Sequence, residues 1–208
     1  MWRKDTRLGT SVESMIERRH AVRLAALPLI SERGFLNVTF ADVAEASGVS
    51  ESELSALFDS TRAVVTENDY FDVIVSAFRE SPVELSCAAA WVVAIEEIAE
   101  TMTPEEWATE RLRNEIYARE DDAIGGVVTE LMGIMAGLSE AVAERCGIDP
   151  ASTPVAVFTG TVIGTMMSMP LGFHPDSCSW VKAHAVAIEA LGPSLDRMLQ
   201  SAPVGVRR

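Results

Sequence analysis

Two four-residue boxes and the glycine between them constrain this chain of 208 residues more than anything else in it. The boxes are TFAD (39–42) and SESE (50–53), with Gly48 between them. In each, a hydroxyl residue is followed three positions later by an acid, the pattern that closes a helix N-terminus from both sides. The first box predicts a short helix through 47. Gly48 then supplies a turn residue free to take positive φ. The second box opens another helix through about 57. Ala44, four residues before the glycine, is small enough to let two helices cross steeply. Val43, Val49, Leu54 and Leu57 would close a miniature core. The pattern is a helix-turn-helix.

Helical periodicity continues through the rest of the chain. Val22, Ala25, Ala26, Leu29 and Ile30 recur at helical spacing, and Gly34 follows as a stop. Asp59 and Ser60 can cap a helix running to about 78. Ser81-Pro82 marks a boundary, and an apolar helix is expected over 83–101. TPEE (103–106) opens another to about 118, with its proline in the first turn and its acids near the positive helix end. Longer helices follow over 120–146, 154–169 and 177–200, with GIDPAST as a loop. No segment shows the alternation of a strand. The expected class is all-α.

Composition narrows the functions available. At 48% hydrophobic and 23% charged, the chain is expected to fold and to be soluble. Its net charge of −14 opposes any general affinity for nucleic acid or anionic membranes. The imbalance is uneven. Residues 1–68 carry eight Lys/Arg against ten Asp/Glu, and residues 69–208 carry nine against twenty-one. A polyanion would meet the first third. Cys87, Cys146 and Cys178 have neither metal-ligand spacing nor the look of a disulfide framework. The start, MWRKDTRLGTS, has no apolar core of a signal peptide. The uncharged run 150–175 holds too many Ser, Thr, Gly and Pro for a membrane span. A cytoplasmic protein without cofactor or metal is expected.

The stretch AALPLISERGFLNVTFADVAEASGVSESELSALFDSTRAVV resembles the N-terminal domain of the TetR family of one-component transcriptional regulators, over about residues 20–66. The resemblance implies an all-α, TetR-like homodimer. Residues 1–66 would be a three-helix helix-turn-helix domain of DNA-binding type. Residues 67–208 would be a larger helical domain for ligand binding and dimerisation. Several contact positions depart from the family pattern. Glu53 stands for the usual Thr, Ser55 for a phosphate-contacting Tyr, Leu57 for an aromatic or His, and Thr61 for Lys, while Phe58 is kept. Glu51 and Glu53 suit the start of a helix rather than a polyanion. Candidate DNA contacts are therefore Arg3, Lys4 and Arg7 of the leading arm, with Thr39, Ser50, Ser52, Ser55, Thr61 and Arg62. Arg18, Arg19 and Arg23 are the other cations of the first helix.

In the second part, bulky and flexible apolar side chains are candidates to line a pocket for a small hydrophobic ligand. They are Trp91, Trp107, Tyr117, Met135, Phe158 and Met166. FHPDSCSW (173–180) gathers His174, Asp176 and Cys178, with His184 beyond, and Asp176 or Ser177 reads as a helix cap. Ala156, Gly160, Gly164 and Ser168 form a row of small residues, and Ala183 and Ala187 repeat it on the last helix. Such rows let helices approach closely. The resemblance puts the dimer seam on these same two helices. Two functions follow. One is a ligand-responsive repressor that releases palindromic operator DNA. The other is a protein of the same fold that has lost operator binding and serves as a ligand-binding or partner-binding module or a repurposed enzyme.

Overall fold

A computed structural model of the chain describes residues 10–119, 124–168 and 177–202. Among these residues the regular elements are helical. In chain order they are α1 (Thr10–Arg33), α2 (Phe40–Ser47), α3 (Glu51–Ser55), α4 (Thr61–Thr66), α5 (Asp69–Glu80), α6 (Cys87–Thr101), α7 (Pro104–Arg119), α8 (Ile124–Cys146), α9 (Thr153–Ser168) and α10 (Ser177–Gln200). A single 3₁₀ turn, Phe35–Asn37, follows α1. The fold of the described residues is all-α. No helix among the described residues is long and apolar enough to cross a membrane.

The chain divides into two compact units. One holds the residues through Asp69 together with Met102–Glu130, and the other holds Tyr70–Thr101 and the chain from Leu131 onward. In the first unit, Val22, Ala26, Leu27 and Ile30 of α1 form the core with Val43, Ala44, Leu54, Leu57, Phe58, Val64 and Val65. Ile116 of α7 joins them. In the second unit, Trp91 is fully buried among Phe71, Phe78 and His184, with ring centroids 6.1–6.4 Å apart. Here α10 lies close against α6. A Cβ on Gly192 would come within 2.9 Å of the Ala88 Cβ.

The expected helix from 60 to 78 is two helices. It breaks at Glu67 and Asn68, between α4 and α5. The cause is a set of long-range hydrogen bonds to the carbonyls that end α4. The helix expected from 83 begins at Cys87, because Pro82–Ser86 is held as a turn by a hydrogen bond from Leu85 N–H to the Pro82 carbonyl.

Candidate nucleic-acid interface

The turn between α2 and α3 is built by local rules. Gly48 has φ 67° and ψ 25°, the left-handed conformation that ends a helix at low cost only for glycine. Its N–H donates to the Glu45 carbonyl, and the Val49 N–H reaches back to Ala44, both at 3.1 Å. Together these bonds make a Schellman motif. Val43, Ala44 and Leu54 are buried beneath the turn, and Val49 packs against the same core.

Both boxes close reciprocally. At α2, the Asp42 N–H donates to Thr39 Oγ1 at 3.1 Å, while Asp42 Oδ2 accepts from the Thr39 N–H and hydroxyl. At α3, the Glu53 N–H donates to Ser50 Oγ at 3.2 Å. Glu53 Oε2 in turn accepts from the Ser50 N–H at 2.9 Å and from its hydroxyl at 2.7 Å. These bonds from Ser50, first the backbone N–H and then the hydroxyl, hold the Glu53 carboxyl below the usual carboxylate range. The Thr39 hydroxyl and then its N–H do the same for Asp42. The Glu53 carboxylate thus serves its own helix as the acceptor of the Ser50 N–H and hydroxyl. Ser55 donates its hydroxyl proton to the Glu51 carbonyl at 2.8 Å.

The candidate contacts thus differ in their surroundings. The hydroxyl protons of Thr39, Ser50 and Ser55 are engaged within the motif. Ser52 is exposed and Thr61 half-buried at the start of α4. The Arg62 guanidinium lies 5.8 Å from the centre of the Phe35 ring. Arg3, Lys4 and Arg7 lie outside the described residues.

Of the other cations on α1, Arg18 is exposed, whereas Arg19 and Arg23 turn inward. Arg23 is 2% exposed. Its Nε donates to the Val64 carbonyl at 2.9 Å and Nη2 to the Glu67 carbonyl at 2.7 Å, while Nη1 pairs with Asp69. Arg19 donates to the Leu57 carbonyl at 2.6 Å and pairs with Glu67 and Asp69. Both guanidiniums lie over Phe58, at 4.1 and 5.1 Å from the ring centre. From α7, Arg113 donates to the Val65 carbonyl at 3.1 Å and pairs with Glu110 at 2.8 Å. The last carbonyls of a helix have no partner within it. Here arginines supply those partners and set where α4 ends. Sequence reading missed this clamp. The available signal was that residues 19, 23, 26 and 30 share one face of α1, so two charges stand in its apolar row.

The second unit places its candidates differently. Trp91 and Phe158 are fully buried. The Trp91 Nε1–H donates to Nε2 of His184 at 2.9 Å. That bond leaves the proton of the neutral imidazole on Nδ1. Burial lowers the His184 pKa to about 4, so the ring is neutral at physiological pH. Met135 and Met166 are half-buried. Trp107 and Tyr117 lie on α7, in the first unit; Trp107 is half-buried, and the Tyr117 side chain is outside the described residues. His174 and Asp176 are also outside them, as is the side chain of Cys178. On α9, Ala156, Gly160 and Gly164 face solvent, and no atom lies within 4 Å of a Cβ built on either glycine. Ala183 and Ala187 of α10 are half-buried. Ser168 ends α9, its side chain outside the described residues.

Comparison with known proteins matches two successive stretches of the chain. Residues 23–67 match the family model described as bacterial regulatory proteins, tetR family. Residues 85–174 match the model described as the MftR C-terminal domain. No curated protein matches the chain. A similar solved structure is described as "The crystal structure of the putative transcriptional regulator from Pseudomonas aeruginosa PAO1". It is 18% identical, with a TM-score of 0.45, covering 88% of this chain and 94% of that one.

Proposed function

We propose that this chain, which belongs to the TetR family of bacterial regulatory proteins, is a homodimeric repressor that releases its operator when a small apolar molecule binds the second unit. The observation that carries the reading is the helix-turn-helix at 40–55. Its Schellman turn and two closed boxes hold α3 in the form a reading helix requires. The family match falls on the same residues.

The face of α9 and α10 supports the dimer. Ala156, Val157, Gly160 and Gly164 of α9 are exposed, as are Val186, Ala190 and Leu191 of α10. Val186 is 64% exposed. Small residues beside exposed aliphatic ones suit close contact with a second copy. The effector site is proposed where α8 and α9 pair through a hydrogen bond from the Ser139 hydroxyl to that of Thr159, at 3.2 Å. Met135 stands one turn from Ser139 and Met166 two turns from Thr159, and methionines adapt to varied apolar shapes. Both half-sites of an operator must be met at once, so an effector that alters the spacing of two reading helices weakens binding.

One set of observations favours the second reading, a module of this fold that does not bind DNA. The hydroxyl protons of Thr39, Ser50 and Ser55 are engaged by Asp42, Glu53 and the Glu51 carbonyl, and Arg19 and Arg23 are paired with acids and carbonyls. No Lys or Arg occurs from 39 to 61. Selection from random duplex DNA at low and physiological salt separates the two. The repressor reading expects a palindrome to be enriched. Its affinity should fall with salt at a slope of about −0.9 per neutralised phosphate, flattening when residues 1–8 are removed. Absence of enrichment at low salt, for wild type and for Glu53→Gln alike, would establish the module instead.

A further inference from the structure

Cys87 and Cys146 are 59 residues apart in sequence, yet their Sγ atoms lie 3.1 Å from one another. Cys87 is the first residue of α6 and Cys146 the last of α8, both in the second unit. Cys87 is buried, whereas Cys146 is half-exposed. A covalent bond needs about 2.05 Å between the sulfurs, roughly 1 Å of closure. The surroundings are built rather than incidental. The Arg145 guanidinium donates to the carbonyls of Ser81 at 3.0 Å and Leu85 at 2.8 Å, and also to that of Pro82. It thereby ties the 81–86 turn, which leads into Cys87, to the end of α8. Ser86 Oγ and Asp196 Oδ1 accept from the Ala89 and Ala88 N–H groups at 3.3 and 3.1 Å. The start of α6 is thus fixed where Cys87 faces Cys146.

We propose that Cys87 and Cys146 form an oxidant-responsive dithiol, which a hydroperoxide closes to an intramolecular disulfide joining the start of α6 to the end of α8. The two thiols have different roles. The hydrogen bond between the two sulfurs lowers the Cys146 pKa, with Arg145 assisting against burial and Asp196. The same bond, then burial, raises that of Cys87. Cys146 is also the sulfur that solvent reaches. Its thiolate attacks one peroxide oxygen and the O–O bond breaks. The departing oxygen takes the electron pair and a proton, leaving as an alcohol, or as water from hydrogen peroxide. Cys146 becomes a sulfenic acid. The Cys87 sulfur then attacks the Cys146 sulfur, and the S–O bond breaks. Hydroxide leaves and takes the Cys87 proton as water. Two thiols and one hydroperoxide give a disulfide, one water and one alcohol or second water. The two electrons lost by sulfur reduce the O–O bond.

The test uses the full chain carrying Cys178→Ala, so that only these two thiols remain. A few equivalents of hydrogen peroxide should produce one cross-linked peptide pair containing Cys87 and Cys146 in non-reducing mass spectrometry. The melting temperature should rise by roughly 5–10 °C, because a long loop is closed in the unfolded chain. Dithiothreitol should reverse both. With Cys87→Ser added, oxidation should stop at a Cys146 sulfenic acid that dimedone captures, with no rise in melting temperature. Cross-links only between chains would overturn the proposal. So would Cys146 passing to sulfinic acid while Cys87 stays a free thiol, or the absence of a dimedone adduct on the serine variant.

Discussion

The two units hold their helices by different physics. In the first, α2, α3 and α4 have eight, five and six residues, too short to persist alone in water. They are fastened by capping boxes and by arginines that end on backbone carbonyls. In the second, α6, α9 and α10 have 15 to 24 residues and pack, with α8 from Leu131 onward, through rings, aliphatic side chains and small contacts. Trp91 bonded to His184 is a polar exception within that apolar interior. Short helices need partners for their orphan carbonyls, and long ones need surfaces to bury. Among the described residues the buried charges, Arg23, Glu106 and Arg113, belong to the first unit, while Arg145 of the second reaches its carbonyls from a half-exposed position.

The sharpest way to break the contrast is Arg23→Ala. It leaves the carbonyls of Val64 and Glu67 without their buried donor and the Asp69 carboxylate with Arg19 alone. The expected loss is about 3–5 kcal/mol in urea unfolding. Arg79→Ala in the second unit removes an exposed pair with Glu144 and should cost less than about 1 kcal/mol. Equal costs would dissolve the distinction.

His184 gives the next effect. Its folded pKa of about 4 lies below the reference value of 6.5, so the unfolded chain takes up the proton first. Stability is complete above pH 6.5 and declines as pH falls from there toward 4, by at most about 3 kcal/mol. His184→Gln keeps an acceptor for the Trp91 N–H but does not titrate. Its pH–stability curve should lie flatter than wild type between pH 6.5 and 4.5, and parallel curves would contradict the assignment.

Gly192→Ala should cost roughly 1–3 kcal/mol, since the new methyl meets the Ala88 Cβ. Ala88→Gly in the same chain should recover most of the loss in a double-mutant cycle. Ser50→Ala should cost about 1 kcal/mol by removing the α3 cap. Proteolysis within the turn, rather than global melting, is the measurement sensitive enough to see it.

These same features decide what the sequence could reveal. The boxes at Thr39 and Ser50 act over three residues, and reading them locally was sufficient; Thr103 caps α7 as expected, and Glu106 adds the reciprocal bond. The break between α4 and α5 was illegible. Apolar periodicity runs across it, and the arginines that stop α4 are 41 to 48 residues away. The basic character of α1 was legible as composition, but the inward turn of Arg19 and Arg23 was not. Cys87 and Cys146 likewise meet only through the packing of α6 and α8. The acids of α3 belong to the first kind. Glu53 serves its own helix, which a reading of contact positions alone would miss.

Gly48 makes one more point, about tolerance to variation. A methyl added there would meet nothing within 4 Å, so a census of available room would score the site as permissive. Its φ of 67° closes it to branched and bulky residues all the same, since they rarely adopt that torsion. In a saturation library screened for folding, position 48 should retain glycine and, more weakly, asparagine. The solvent-facing Gly160, with equally open surroundings and helical geometry, should accept a wide alphabet in the isolated chain.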